Sequence, residues 1–119
     1  MIGRTLAGLL FTFLLFPPVP TQATVRHHGI TRHYLPPLFV TGYVEVGYTA
    51  SGVWTHPGTC AADWAYIPKF AHVHVPRVGT CRVEDTGGAI RGYRLDWWYP
   101  TVAQCYAVTG WYSGAYWTR

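Results

Sequence analysis

Apolar residues in this chain fall into short runs, and the rhythm of those runs changes along its length. Leu6 to Phe16 is apolar almost without interruption, and Pro17, Pro18 and Pro20 then stop any helix. Thr24 to Pro37 follows no period of two or of 3.6, so 24–37 reads as a flexible lead-in. From Leu38 onward the pattern turns to strand. Phe39 to Val46 is rich in β-branched and aromatic residues, and His72-Val73-His74-Val75 alternates until Pro76 stops it. Thr80 to Val83 follows Gly79, and Arg94 to Tyr99 ends at Pro100. Thr101 is placed to cap a short helix closed by Gly110, with Val102, Cys105, Tyr106 and Val108 along one face. Trp111 to Trp117 reads as the last strand. Short strands every ~10 residues, cut by Gly and Pro and joined by one helix, predict an all-β domain over 38–119, a small closed barrel rather than a sandwich.

The opening run changes meaning once its flanks are considered. Arg4 precedes it, and Thr21-Gln22-Ala23 offers a small residue for cleavage. A positive start, an apolar stretch too short to span a bilayer and a small-residue site are the layout of a secretory signal over 1–23. Export is therefore expected, with the mature chain in the envelope or the medium and no stable membrane span. Cleavage after Ala23 would remove only Arg4 among the charges and leave a formal charge of +3. The remaining domain is small enough to need help beyond its core. Six Trp, nine Tyr and five Phe in the 119-residue chain supply large apolar areas. Cys60, Cys81 and Cys105 in an exported chain predict one disulfide and one odd thiol. Cys81, central between two partners, is the favoured member, and the pair stays open. No Lys/Arg run is present, which argues against nucleic acid as a partner.

Acids are scarce. Only five Asp and Glu serve the chain, and Glu84, Asp85 and Asp96 stand within 13 residues of one another. That clustering suggests a site. The longest motif reads Glu84-Asp85-Thr86-Gly87-Gly88-Ala89-Ile90-Arg91-Gly92, followed by Arg94-Leu95-Asp96. Upstream stand Thr49-Ala50-Ser51-Gly52 and Ala61-Ala62-Asp63-Trp64-Ala65-Tyr66-Ile67-Pro68. Taken together, these four blocks resemble the 3D domain, named for three aspartates. That domain also forms the catalytic core of MltA-type lytic transglycosylases and of stationary-phase survival proteins. The likeness runs from about Val40 to Trp111, with Lys69-Phe70-Ala71 replacing the usual Leu-Gly-Thr step.

The resemblance implies a six-stranded double-psi β-barrel that cleaves glycosidic bonds in peptidoglycan. Asp96 takes the position of the catalytic acid/base, while Asp63 and Asp85 line and support the cleft. Thr49, Ser51, Gly87 and Gly88 are the further cleft candidates. Such a reaction needs one carboxyl group, because the substrate's own 6-hydroxyl attacks the anomeric carbon and no second carboxylate has to activate water. No metal or other cofactor is called for, and a monomer suffices. The alternative is a non-catalytic glycan-binding module of expansin type.

The residues carry plainer readings too. Asp85-Thr86-Gly87-Gly88 also makes a β-turn whose carboxylate bonds backbone N–H groups, with Gly at positive φ. Asp63 has the same option. Asp85-Thr86-Gly87 spells the aspartic-protease triplet, but Glu84 stands where an apolar residue is usual. Asp96 and Trp98 share a strand face by alternation, so Trp98 is a candidate for sugar contact. His72 and His74 also share a face; with no third ligand at a useful spacing, a solvated face is the better reading than a metal site.

Overall fold

The computed structural model describes residues 22–119. All but the last two residues of the expected export segment 1–23 lie outside the described residues. Nine strands and one helix follow in chain order: β1 (Thr24–His27), β2 (Ile30–Tyr34), β3 (Leu38–Tyr43), β4 (Thr59–Ala62), β5 (His72–Val75), β6 (Gly79–Asp85), β7 (Arg94–Trp98), α1 (Val102–Val108), β8 (Gly110–Tyr112) and β9 (Tyr116–Thr118). Among the described residues the chain adopts the expected mainly-β class with one short helix. It does not adopt the expected count of six strands or the closed barrel. The nine strands form one sheet in the order β1-β2-β9-β5-β6-β4-β7-β3-β8, open at its two ends.

The extra strands come from pairing partners distant in sequence. Residues 24–34, expected as a lead-in, form a hairpin around His28 and Gly29, both at positive φ (48° and 82°). Two successive positive-φ residues suit the twist of a tight hairpin. β2 then docks on β9, with His33 opposite Trp117 and Tyr34 opposite Tyr116. β4 escaped notice because all four of its residues are buried, which erases the alternation that marks a strand. The expected strand 111–117 is split in two: β8 pairs with β3, and β9 pairs with β2 and β5.

Alternation sorts the remaining side chains. Leu38 and Val40, Cys60 and Ala62, Val73 and Val75, Cys81 and Val83, and Leu95 and Trp97 enter one core with Ile67 and Trp117. The disulfide joins Cys60 of β4 to Cys81 of β6, with Cα atoms 5.9 Å apart; Cys105 is free and buried. Thr101 caps α1 as expected, its hydroxyl accepting from the Gln104 N–H at 3.3 Å. The helix turns only Cys105 and Val108 inward, whereas Val102 and Tyr106, expected on the buried face, stand in solvent. Gly42 explains how α1 can lie against β3. A Cβ at that position would come within 2.6 Å of the Cys105 Cα.

Candidate functional site

Four residues stand in one row across the centre of the sheet. Thr41 of β3 is opposite Asp96 of β7, Asp96 is opposite Ala61 of β4, and Ala61 is opposite Asp85 of β6. Paired residues on adjacent strands point to the same face, and strands lie about 4.8 Å apart. The two aspartates therefore flank one methyl group, their backbones roughly 10 Å apart. Ala61, Asp85 and Asp96 line a cleft of about 340 Å³, together with Tyr43, Glu45 and the 86–90 turn.

Asp85 reaches this face only through a break in register. Simple alternation from Cys81 and Val83, both buried in the core, would turn it inward. Between Cys60↔Val83 and Ala61↔Asp85 the pairing skips Glu84, so β6 carries one extra residue and Asp85 swings out. Bulges of this kind re-aim side chains beside active sites. Glu84 anchors the bulge. It is 1% exposed, accepts from the Thr59 hydroxyl at 2.8 Å, and pairs with Arg82 (2.9 Å) and His56 (2.8 Å).

The three aspartates differ in what holds them. Asp96 is half-buried, and its Oδ1 accepts from the Thr41 hydroxyl at 2.8 Å. Burial pushes its carboxyl above the usual carboxylate range, and the Thr41 bond opposes that rise without cancelling it. Asp85 uses Oδ1 to accept from the Ala50 and Thr86 N–H groups, both at 2.9 Å. It therefore bonds backbone, as the turn reading held, but from the end of β6; Gly87 and Gly88 are not among the positive-φ glycines. Asp63 lies outside the cleft lining. Its oxygens accept from Gly92 N–H (2.9 Å) and Ala65 N–H (3.1 Å), and these bonds, that to Gly92 foremost, hold its carboxyl below the usual range. It braces the chain just before β7.

The other expected residues divide in the same way. Gly87 and Gly88 line the cleft and are exposed. Thr49 and Ser51 bond one another at 3.0 Å within the 49–53 turn, outside the lining. Ser51 N–H reaches the Glu84 carbonyl at 3.2 Å, so this turn fixes the bulge from above. Trp98 is buried and its indole N–H donates to the Glu45 carbonyl at 3.0 Å, which removes it as a stacking platform. His72 and His74 share the expected face, and His74 Nδ1 lies 3.1 Å from the Thr80 hydroxyl. Among the described residues no group of three His, Cys, Asp or Glu is placed to hold a metal. The buried Cys105 thiol is pushed up by desolvation and lies outside the lining of this cleft.

Sequence reasoning missed Tyr43. It lines the cleft, and its buried hydroxyl meets no hydrogen-bond partner among the described residues. Burial, with the Asp85 and Asp96 charges next, pushes that hydroxyl well above the usual phenol range, so it stays a donor. A buried polar group without a partner calls for an explanation, and a bound oxygen is one. Tyr43 shares a strand face with Thr41, but that marks it only once Thr41 is known to stand opposite Asp96.

Residues 58–116 match the family model described as 3D domain. No curated protein matches the chain. No helix among the described residues is long and apolar enough to cross a membrane.

Proposed function

With residues 58–116 belonging to the 3D domain family, we propose that the protein is exported and cleaves glycosidic bonds in peptidoglycan, with Asp96 as the single acid/base. The disulfide and the cell-wall association of that family fit an extracellular or envelope location. The observation that carries the reading is the half-buried Asp96 carboxyl, raised by desolvation and open to a cleft.

Asp96 starts protonated and delivers its proton to the glycosidic oxygen as the bond to the anomeric carbon breaks. The sugar's own 6-hydroxyl then attacks that carbon and returns its proton to Asp96, closing an anhydro ring. Proton supply and removal by one group match what a raised pKa allows. Asp85, one strand beyond Ala61, adds negative charge facing the oxocarbenium-like centre. Tyr43 donates to a substrate oxygen, and Gly87 and Gly88 leave space for the sugar backbone, since a Cβ on either would meet nothing within 4 Å.

Asp96→Asn keeps the shape and removes the proton, so release of anhydro-sugar ends from purified sacculi should fall by about 10²-fold or more. Wild-type release by that variant would end the acid/base assignment. Tight binding to sacculi with no release by the wild-type protein would favour the expansin-type binding module instead.

A further inference from the structure

A second cavity of about 340 Å³ adjoins the cleft on the side of α1. Its lining includes Tyr43 and Glu45, which also line the Asp96 cleft, and Thr41, whose hydroxyl donates to Asp96. The two cavities thus share the Tyr43–Glu45 pair as a common wall, and Thr41 links that wall to Asp96. The far wall of the second is formed by α1 through Val102, Cys105 and Tyr106.

Two of those helix residues break the rule that a helix buries its apolar stripe. Val102 is 55% and Tyr106 78% exposed. They stand one turn apart on the same helix face, which places them as neighbours. The rest of the wall sets the Thr41 and Thr109 hydroxyls and the Glu45 carboxylate among Gly42, Tyr43 and Val44. An apolar ring beside convergent hydrogen-bonding groups is the surface on which a pyranose fits, with C–H groups on the ring and hydroxyls toward the polar wall.

We infer that the α1 cavity is a second sugar subsite, in which Tyr106 stacks on a residue of the glycan lying on the opposite side of Asp96 from the Gly87-Gly88 turn. This rests on the proposed glycan reading and deepens it. The occupant is a chain that continues past the scissile bond in both directions. An internal segment of a strand is then a better ligand than a short terminal fragment. Tyr106 is a positioning residue: it touches substrate remote from the reacting atoms.

The test uses the full mature chain carrying Asp96→Asn, so that binding is read without turnover. The probes are peptidoglycan glycan oligomers of two and of four disaccharide repeats. The longer probe should bind more tightly. Adding Tyr106→Ala should weaken it by about 5- to 10-fold and leave the shorter probe's Kd unchanged, while Tyr106→Phe keeps the ring and restores wild-type affinity. Cys105 and Val108 hold the helix, so a far-ultraviolet dichroism spectrum matching the parent serves as the folding control. If the longer probe binds and Tyr106→Ala leaves its Kd unmoved, the subsite is wrong and the cleft reading stands. If neither probe binds with the cleft intact, the glycan reading itself falls and the subsite with it.

Discussion

Asp85 and Asp96 arrive at the same cleft by different routes, and only one route can be read in the amino-acid order. Asp96 is on the outward face of β7 by plain alternation between Leu95 and Trp97, both buried. Asp85 depends on the extra residue in β6, and that residue depends on a buried Glu84 held by His56, Arg82 and Thr59. No local pattern announces a bulge set by partners 2, 25 and 28 residues away. For the same reason Thr49 and Ser51, expected at the cleft, prove to secure the turn behind it. Thr41 offers the sharpest test at this scale. Its hydroxyl favours the ionised Asp96, so removing it should raise that carboxyl further. In the proposed mechanism the acid must be protonated to act, so activity is lost as pH rises through its pKa. Thr41→Val should therefore move the alkaline limb of the rate profile to higher pH, measured as anhydro-end release against pH. An unmoved limb would separate Asp96 from the titration.

The contact between α1 and β3 shows what strand and helix patterns do and do not reveal. Thr101 as cap, the helix span and the strands at 72–75 and 94–98 were legible, because each rests on near neighbours in the chain. Which helix face turns inward was not, since it is set by the site where α1 meets β3. That meeting point is Gly42, opposite Cys105. A methyl group there would overlap backbone as well as side chain, and neither can rotate away. Gly42→Ala should cost about 1–3 kcal/mol, seen as a lower midpoint in thermal or urea unfolding. The α1 cavity should also lose its shape, because the helix that walls it must shift. An unchanged midpoint would mean that the helix moves freely on the sheet.

The molecule as a whole is divided by charge and tied by sulfur. All five carboxylates lie between Glu45 and Asp96, whereas β1, β2, β5, β8 and β9 contain none. In the sheet order, β1, β2, β9 and β5 form one flank that carries no carboxylate and holds Arg26 and Arg32, while β6 and β7 carry Glu84, Asp85 and Asp96. The Cys60–Cys81 disulfide joins β4 to β6 and closes a separation of 21 residues. Loop closure of that length contributes about 3 kcal/mol, a large share for a domain of this size. A Cys60→Ala, Cys81→Ala variant should unfold at a clearly lower temperature than the oxidised parent, and a reductant should lower only the parent's midpoint. The link has a further meaning, because Cys60 immediately precedes Ala61 and β6 carries Asp85. With both cysteines reduced, the chain lacks the staple between β6, which carries Asp85, and β4, whose Ala61 separates the two aspartates. On the proposed reading of an exported wall enzyme, oxidation after export would act as a time stamp, fixing the Asp85 side of the cleft only where the substrate is met.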